Sequence, residues 1–165
     1  MSDQRFHEAP LTQKEVERVL EICSPQGLLV GGQALAFWAN HLQVKLPPDL
    51  ESGVTADVDF IGGSDLARQL GKELGWKTWL PTLDDVTPNT GKVTHKLPDG
   101  GVKQVDFLSG VIGLTTKDVE RRAAELEIDG LGHLRVMHPV DVLDSRIQNL
   151  EALREKRNEI GRAHV

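Results

Sequence analysis

The sequence predicts an α/β (α+β) domain in which a small mixed β-sheet is flanked by helices, and three observations carry that prediction. Short apolar runs of strand length at 28–30, 56–61 and 102–108 alternate with segments of helical periodicity. Paired glycines, Gly31-Gly32 and Gly62-Gly63, follow the first two of these runs. A turn sequence, Pro98-Asp99-Gly100-Gly101, separates two strand-like runs and reads as a hairpin, so part of the sheet is antiparallel. At 165 residues the chain suffices for one core, and residues 1–165 read as one domain with a C-terminal helix from about 139 onward.

Taken in order, residues 11–23 predict a helix. Val16, Val19, Leu20 and Cys23 fall at helical spacing, and Thr12 with Glu15 three residues later resembles a capping box. Ser24-Pro25-Gln26-Gly27 breaks it, Leu28-Leu29-Val30 fits a buried strand, and Gly31-Gly32 turns the chain into an apolar helix over 33–41. Residues 43–54, with Pro47-Pro48, read as an extended connection or lid before the strand at 56–61. Ser64 is placed as N-cap of a helix through Leu74, whose Leu66, Leu70 and Leu74 share a face. A strand over 76–80 and an exposed loop over 81–91 lead into the hairpin of 92–97 and 102–108. Thr116 is placed as cap of a helix over 117–126, and 128–138 as a short hairpin around Gly130 to Gly132. Pro139 suits the first turn of a last helix, with an apolar stripe of Val140, Val142, Leu143, Ile147, Leu150 and Leu153.

Composition excludes several classes. Hydrophobic residues make up 39% and charged residues 27%, as in ordinary globular domains, and no apolar run approaches the roughly 20 residues of a membrane span. The N-terminal Met1-Ser2-Asp3-Gln4-Arg5-Phe6 lacks a secretory pattern, and a lone Cys23 permits no internal disulfide, so a cytoplasmic location is expected. A net charge of −6 argues against broad binding to duplex DNA. Lys92, Lys96 and Lys103, and the later Arg154, Lys156, Arg157 and Arg162, read as solvated surface.

The chemistry concentrates in acids. Strand side chains alternate, so Asp57 and Asp59 share a face while Val58 and Phe60 turn into the core. The same parity puts Gln104 and Asp106 on one face and Val105 and Phe107 on the other. Carboxylates that close are costly unless a cation neutralises them, and hard oxygen donors of this kind suit Mg²⁺. Gly31-Gly32 at a strand-to-helix junction lets a backbone approach closely, and helix N-terminal amides can hold phosphate oxygens. Neither GxxxxGK[ST] nor GxGxxG is present.

This order of motifs resembles the DNA polymerase beta-like nucleotidyltransferase superfamily. Val30-Gly31-Gly32, Thr55-Ala56-Asp57-Val58-Asp59-Phe60 and Gln104-Val105-Asp106-Phe107 carry the likeness. Leu29-Val30-Gly31-Gly32-Gln33-Ala34-Leu35 looks closest to AbiEii-type toxin nucleotidyltransferases and their uncharacterised bacterial relatives. The resemblance implies that Asp57, Asp59 and Asp106 are the catalytic, metal-holding residues, with two Mg²⁺ ions and a nucleoside triphosphate as substrate. Gly31, Gly32 and Gln33 would then contact the triphosphate, and Arg146 stands where these toxins align a nucleotide-contacting Lys. The implied reaction transfers a nucleoside monophosphate to an RNA, protein or small-molecule acceptor, in a toxin whose partner would be an antitoxin. Gln33 departs from the Ser or Thr of many relatives, and the Gly32-to-Asp57 separation is longer than in minimal members. The substitutions at Gln33 and Arg146 motivate a second reading, a noncatalytic nucleotide- or partner-binding module on the same fold. A third reading, a metal-dependent nuclease, would use the same acids. Trp38, Trp76 and Trp79 read as core, Cys23 as inert packing, and His95, His133 and His138 lack zinc-ligand spacing.

Overall fold

The computed structural model describes residues 7–24, 26–45 and 57–163, with side chains through residue 157. The chain runs β1 (His7–Glu8), α1 (Gln13–Cys23), β2 (Leu28–Val30), α2 (Gly31–His41), β3 (Val58–Ile61), α3 (Ser64–Leu74), β4 (Lys77–Trp79), β5 (Asn89–Lys96), β6 (Gly101–Leu108), α4 (Thr116–Arg122), β7 (Ala124–Ile128), β8 (Gly132–Val136) and α5 (Pro139–Ala163). Among the described residues it is a mixed α/β fold of five helices and one open eight-stranded sheet, ordered β4-β5-β6-β3-β2-β8-β7. β3 pairs parallel to β6 and antiparallel to β2, β2 pairs parallel to β8, and β5–β6 and β7–β8 are antiparallel hairpins. β1 pairs parallel to β6 at Gly101 and Val102, where the other edge of β6 is taken by β5. It therefore continues the line of β3 along the same edge.

Alternation splits the sheet into two faces. Val58, Phe60, Val93, Val105 and Phe107 are fully buried on one face, with Phe60 and Phe107 in register and their rings stacked at 5.9 Å. Each such side chain contributes about 1.5–3 kcal/mol by leaving water. Leu66 and Ala67 of α3 pack on this face beside Phe60, Phe107 and Gly91, and α1 packs against α3. The opposite face carries Asp57, Asp59, Gln104 and Asp106, all half-buried, beside the packed pair α2 and α5.

Lys103 corrects the expectation of a solvated lysine. Parity puts it on the apolar face at 9% exposure, where its ammonium donates to both Glu15 carboxylate oxygens at 2.8 and 2.6 Å. Burial works against ionisation of Glu15, but hydrogen bonds from Lys103 and from Thr12 outweigh it and hold the carboxyl below its usual range. Glu15 also closes the capping box with Thr12, so one side chain ties the start of α1 to the sheet. Glu15→Ala is expected to cost about 2–4 kcal/mol, by loss of the cap and by leaving Lys103 buried without its partner. The midpoint of urea unfolding at pH 7 measures it. Because the Glu15 carboxyl is depressed, its contribution is present above the unfolded carboxyl range and is lost as pH falls through its folded value.

Other boundaries differ for local reasons. Gly31 and Gly32 are the first residues of α2, not a turn preceding it, with Val30 as N-cap. Gly63, not Ser64, caps α3, and Thr115, not Thr116, caps α4 by accepting the Asp118 amide. The helix expected to reach Leu126 stops at Arg122, because Ala124–Ile128 pairs with Gly132–Val136 and the hairpin overrides the helical pattern. β5 begins at Asn89, inside the expected loop, opposite Leu108 across a bulge. Trp79 is 39% exposed and not core, whereas half-buried Trp38 donates from Nε1 to the Met137 carbonyl at 2.8 Å. On α5, Val142 is buried but Val140, Leu143, Ile147, Leu150 and Leu153 are exposed, because Asp141, Val142, Ser145 and Arg146 take the inward side. The expected connection over 43–54 lies outside the described residues beyond Lys45, as do Thr55 and Ala56. Among the described residues, no helix is long and apolar enough to cross a membrane.

Candidate functional site

β3 pairs with β6 so that Asp59 stands directly beside Asp106. In a parallel pair such neighbours project from the same face, about a strand spacing apart, which brings two carboxylates together across the sheet. Asp57 immediately precedes β3 and lies two residues from Asp59 on that face. Val30, the last residue of β2, is the register partner of Asp59 on its other side. The chain then turns upward into α2 over the Asp59 carboxylate.

That turn requires glycine. Gly31 has φ +67°, in the left-handed region, and a Cβ there would lie 2.6 Å from Asp59 Oδ2. The first amides of a helix have no intrahelical acceptor and carry the positive end of its dipole. A cleft of ≈ 360 Å³ opens at this point, lined by Gly31, Gly32, Asp59, Met137, Ser145 and Arg146 among others, with Val111 and Ile112 from the segment after β6. α5 supplies Arg146, whose positive charge opposes the rise in the Asp59 pKa.

Four of the sequence-predicted residues, Gly31, Gly32, Asp59 and Arg146, thus meet in one cleft. Asp106 joins them through its register with Asp59 but does not itself line the cleft, and neither does Asp57. Gln33 is half-buried on the first turn of α2 and does not itself line the cleft.

Electrostatics mark the acids as a group. The Asp59 carboxyl is pushed up to about 6, first by burial, then by the charges of Asp106 and Asp57, against the pull of Arg146 and Lys92. Asp57 is likewise pushed up to about 6, first by burial, then by Glu8 and Asp106, with Lys92 opposing. Asp106 Oδ2 accepts a hydrogen bond from Gln104 Nε2 at 2.6 Å. Its Oδ1 is buried and accepts no hydrogen bond among the described residues, with Lys92 Nζ at 3.6 Å.

Two members of this group, Glu8 and Lys92, were not expected from the sequence. Glu8 arrives because β1 lies along the β6 edge just ahead of β3, a long-range pairing with no local pattern to announce it. Lys92 was countable. Once Lys96 is set opposite Val102 across the Pro98–Gly101 turn, an unbroken antiparallel ladder puts Lys92 opposite Asp106.

Whether these residues suit Mg²⁺ is a question of donors. The oxygens are hard, anionic and grouped on one face. Asp57 and Asp59 are held above their ordinary ionisation range, and the buried Asp106 Oδ1 has no hydrogen-bond donor among the described residues. Each of these features favours a bound cation. As the side chains stand, no three His, Cys, Asp or Glu among the described residues converge closely enough to hold one ion. The donor chemistry fits, and closing the site takes side-chain movement.

Comparison with known proteins finds no matching family model, no matching curated protein and no matching solved structure.

Proposed function

We propose that the chain is a Mg²⁺-dependent nucleotidyltransferase of the DNA polymerase beta-like kind, transferring a nucleoside monophosphate from a nucleoside triphosphate to an RNA, protein or small-molecule acceptor. The observation that carries this reading is the pairing of Asp59 with Asp106 on adjacent parallel strands, under a helix whose first residue must be glycine to clear Asp59. A phosphate seat and a pair of carboxylates within reach of one another are the two parts this reaction needs from a protein. Asp57, Asp59 and Asp106 are the residues that would hold Mg²⁺, which supplies neutralisation of phosphate charge and activation of the attacking hydroxyl. The α2 N-terminus receives phosphate oxygens, and the Arg146 guanidinium offers them a planar, charge-assisted partner. Val111, Ile112 and Met137 give the cleft an apolar side. No covalent nucleophile is required. The likeness to AbiEii-type toxins extends the proposal to one half of a bacterial toxin and antitoxin pair acting in the cytoplasm.

A noncatalytic module on the same fold is the second reading, favoured by Asp106 being engaged by Gln104 and Lys92. Four labelled triphosphates, each incubated with total RNA, total protein and Mg²⁺, separate the two. A labelled product that disappears in Asp57→Ala supports transfer, shortening of RNA indicates a nuclease, and triphosphate binding without product supports the binding module. Failure to bind any triphosphate in Mg²⁺ by calorimetry would sink the nucleotide reading altogether. Arg146→Met is expected to weaken triphosphate binding about tenfold in the same calorimeter, the loss of roughly one charged hydrogen-bonded contact.

A further inference from the structure

Among the described residues, Lys92 is the one cation placed against the acidic group from inside the sheet. It sits on β5 in register with Asp106, half-buried, and its ammonium lies 3.6 Å from Asp106 Oδ1. That distance is an ion pair but not a hydrogen bond. Asp106 Oδ1 is therefore compensated in charge while remaining a buried acceptor without a donor among the described residues. Such an oxygen gains more from a tighter partner than a well-bonded one would. The same ammonium pulls on Asp57 and Asp59, so its field reaches all three acids.

We propose that Lys92 is a built-in counter-ion of the carboxylate cluster, and that a divalent cation binds by displacing the Lys92 ammonium from Asp106. Lys92 then sets how tightly the site holds its cation. This rests on the cation-site reading above and adds a positioning residue to it. The physical basis is competition. Three carboxylates on one face tolerate each other only with positive charge nearby, and lysine and metal cannot both lie against the same oxygen without repelling each other. Lysine suits the role because its ammonium is a compact charge on a flexible four-carbon stem that can swing aside while the backbone pairing of β5 with β6 stays in place.

The test is Mn²⁺ binding to the full chain by calorimetry, on wild type, Lys92→Met, Lys92→Arg and Asp59→Asn, with thermal melts of each in the metal-free state. Lys92→Met keeps the stem and removes the charge. It is expected to bind Mn²⁺ about tenfold or more tightly than wild type and to melt lower when metal-free, with Mn²⁺ restoring the midpoint. Lys92→Arg is expected to stay close to wild type. Equal Mn²⁺ affinity in wild type and Lys92→Met overturns the proposal while leaving the cation site standing, as does weaker binding in the variant. A lower metal-free midpoint with unchanged affinity marks Lys92 as purely structural and overturns it too. No binding by wild type, Lys92→Met and Asp59→Asn alike overturns the cation-site reading itself, and this inference with it.

Discussion

Asp59→Asn is expected to cut the proposed nucleotidyl transfer roughly 10³-fold and, in the same protein, to raise the melting temperature of the metal-free fold. The two effects have one origin. Asp59 sits between the α2 N-terminus and Asp106, where the proposed cation and phosphates would meet. Removing one such charge from a metal-assisted reaction removes several kcal/mol of charge stabilisation, roughly a 10³-fold loss of rate. Without metal the same charge is a burden, since burial and the neighbouring acids push its carboxyl from 3.8 to about 6. Asparagine keeps the shape and discards the charge. After allowance for solvent screening the gain is on the order of 1 kcal/mol, roughly 2–4 °C in a domain of this size.

The pH dependence has a definite sign. Asp57 and Asp59 hold their protons more tightly folded than unfolded, so their contribution to stability is fully present below the unfolded value near 3.8. It is lost as pH rises from there through about 6. Metal-free wild type should therefore lose part of its stability over that interval, and Asp59→Asn should lose less. The proposed cation binding would run the other way, because it needs the ionised acids, and is expected to weaken as pH falls below about 6. Melts at pH 5 and pH 7.5, with and without Mn²⁺, check both slopes; a steeper slope in Asp59→Asn would count against the electrostatic account.

Gly31→Ala is expected to weaken both the fold and the proposed cation site. Two costs add at one atom. The backbone is at φ +67°, where an L side chain costs about 1–2 kcal/mol. The new Cβ would also lie 2.6 Å from Asp59 Oδ2, so the carboxylate must turn away or α2 must lift. Folding should weaken by about 1–3 kcal/mol, and Mn²⁺ affinity should fall by tenfold or more because the displaced group is a proposed ligand. Denaturant melts and calorimetry on the same preparation measure both. Loss of stability with intact Mn²⁺ affinity would show that the close approach at Gly31 is structural only.

Much of this arrangement was legible in the chain because it rests on local periodicity. Thr12 and Glu15 announced the capping box, period-two alternation sorted Asp57, Asp59 and Asp106 away from Val58, Phe60, Val105 and Phe107, and Gly31-Gly32 marked the strand-to-helix junction. Errors gathered where a long-range partner overrode a local preference. Residues 124–126 look helical in isolation and pair as a strand, Lys103 looks like surface and is buried on Glu15, and most of the apolar stripe of α5 faces outward.

By itself, the sequence determined which residues can share a face, because side-chain direction follows from the one-dimensional order of a strand or helix. It thereby grouped the acids and set the glycines ahead of them. Only the tertiary structure decided what those faces meet. The parallel register of β3 on β6 put Asp59 against Asp106, and β1 brought Glu8 into their field. The phase of α5 swung Arg146 into the cleft. Each of these is a contact between segments far apart in the chain. Such contacts are chosen by the burial of the whole apolar face, which no short stretch of sequence encodes.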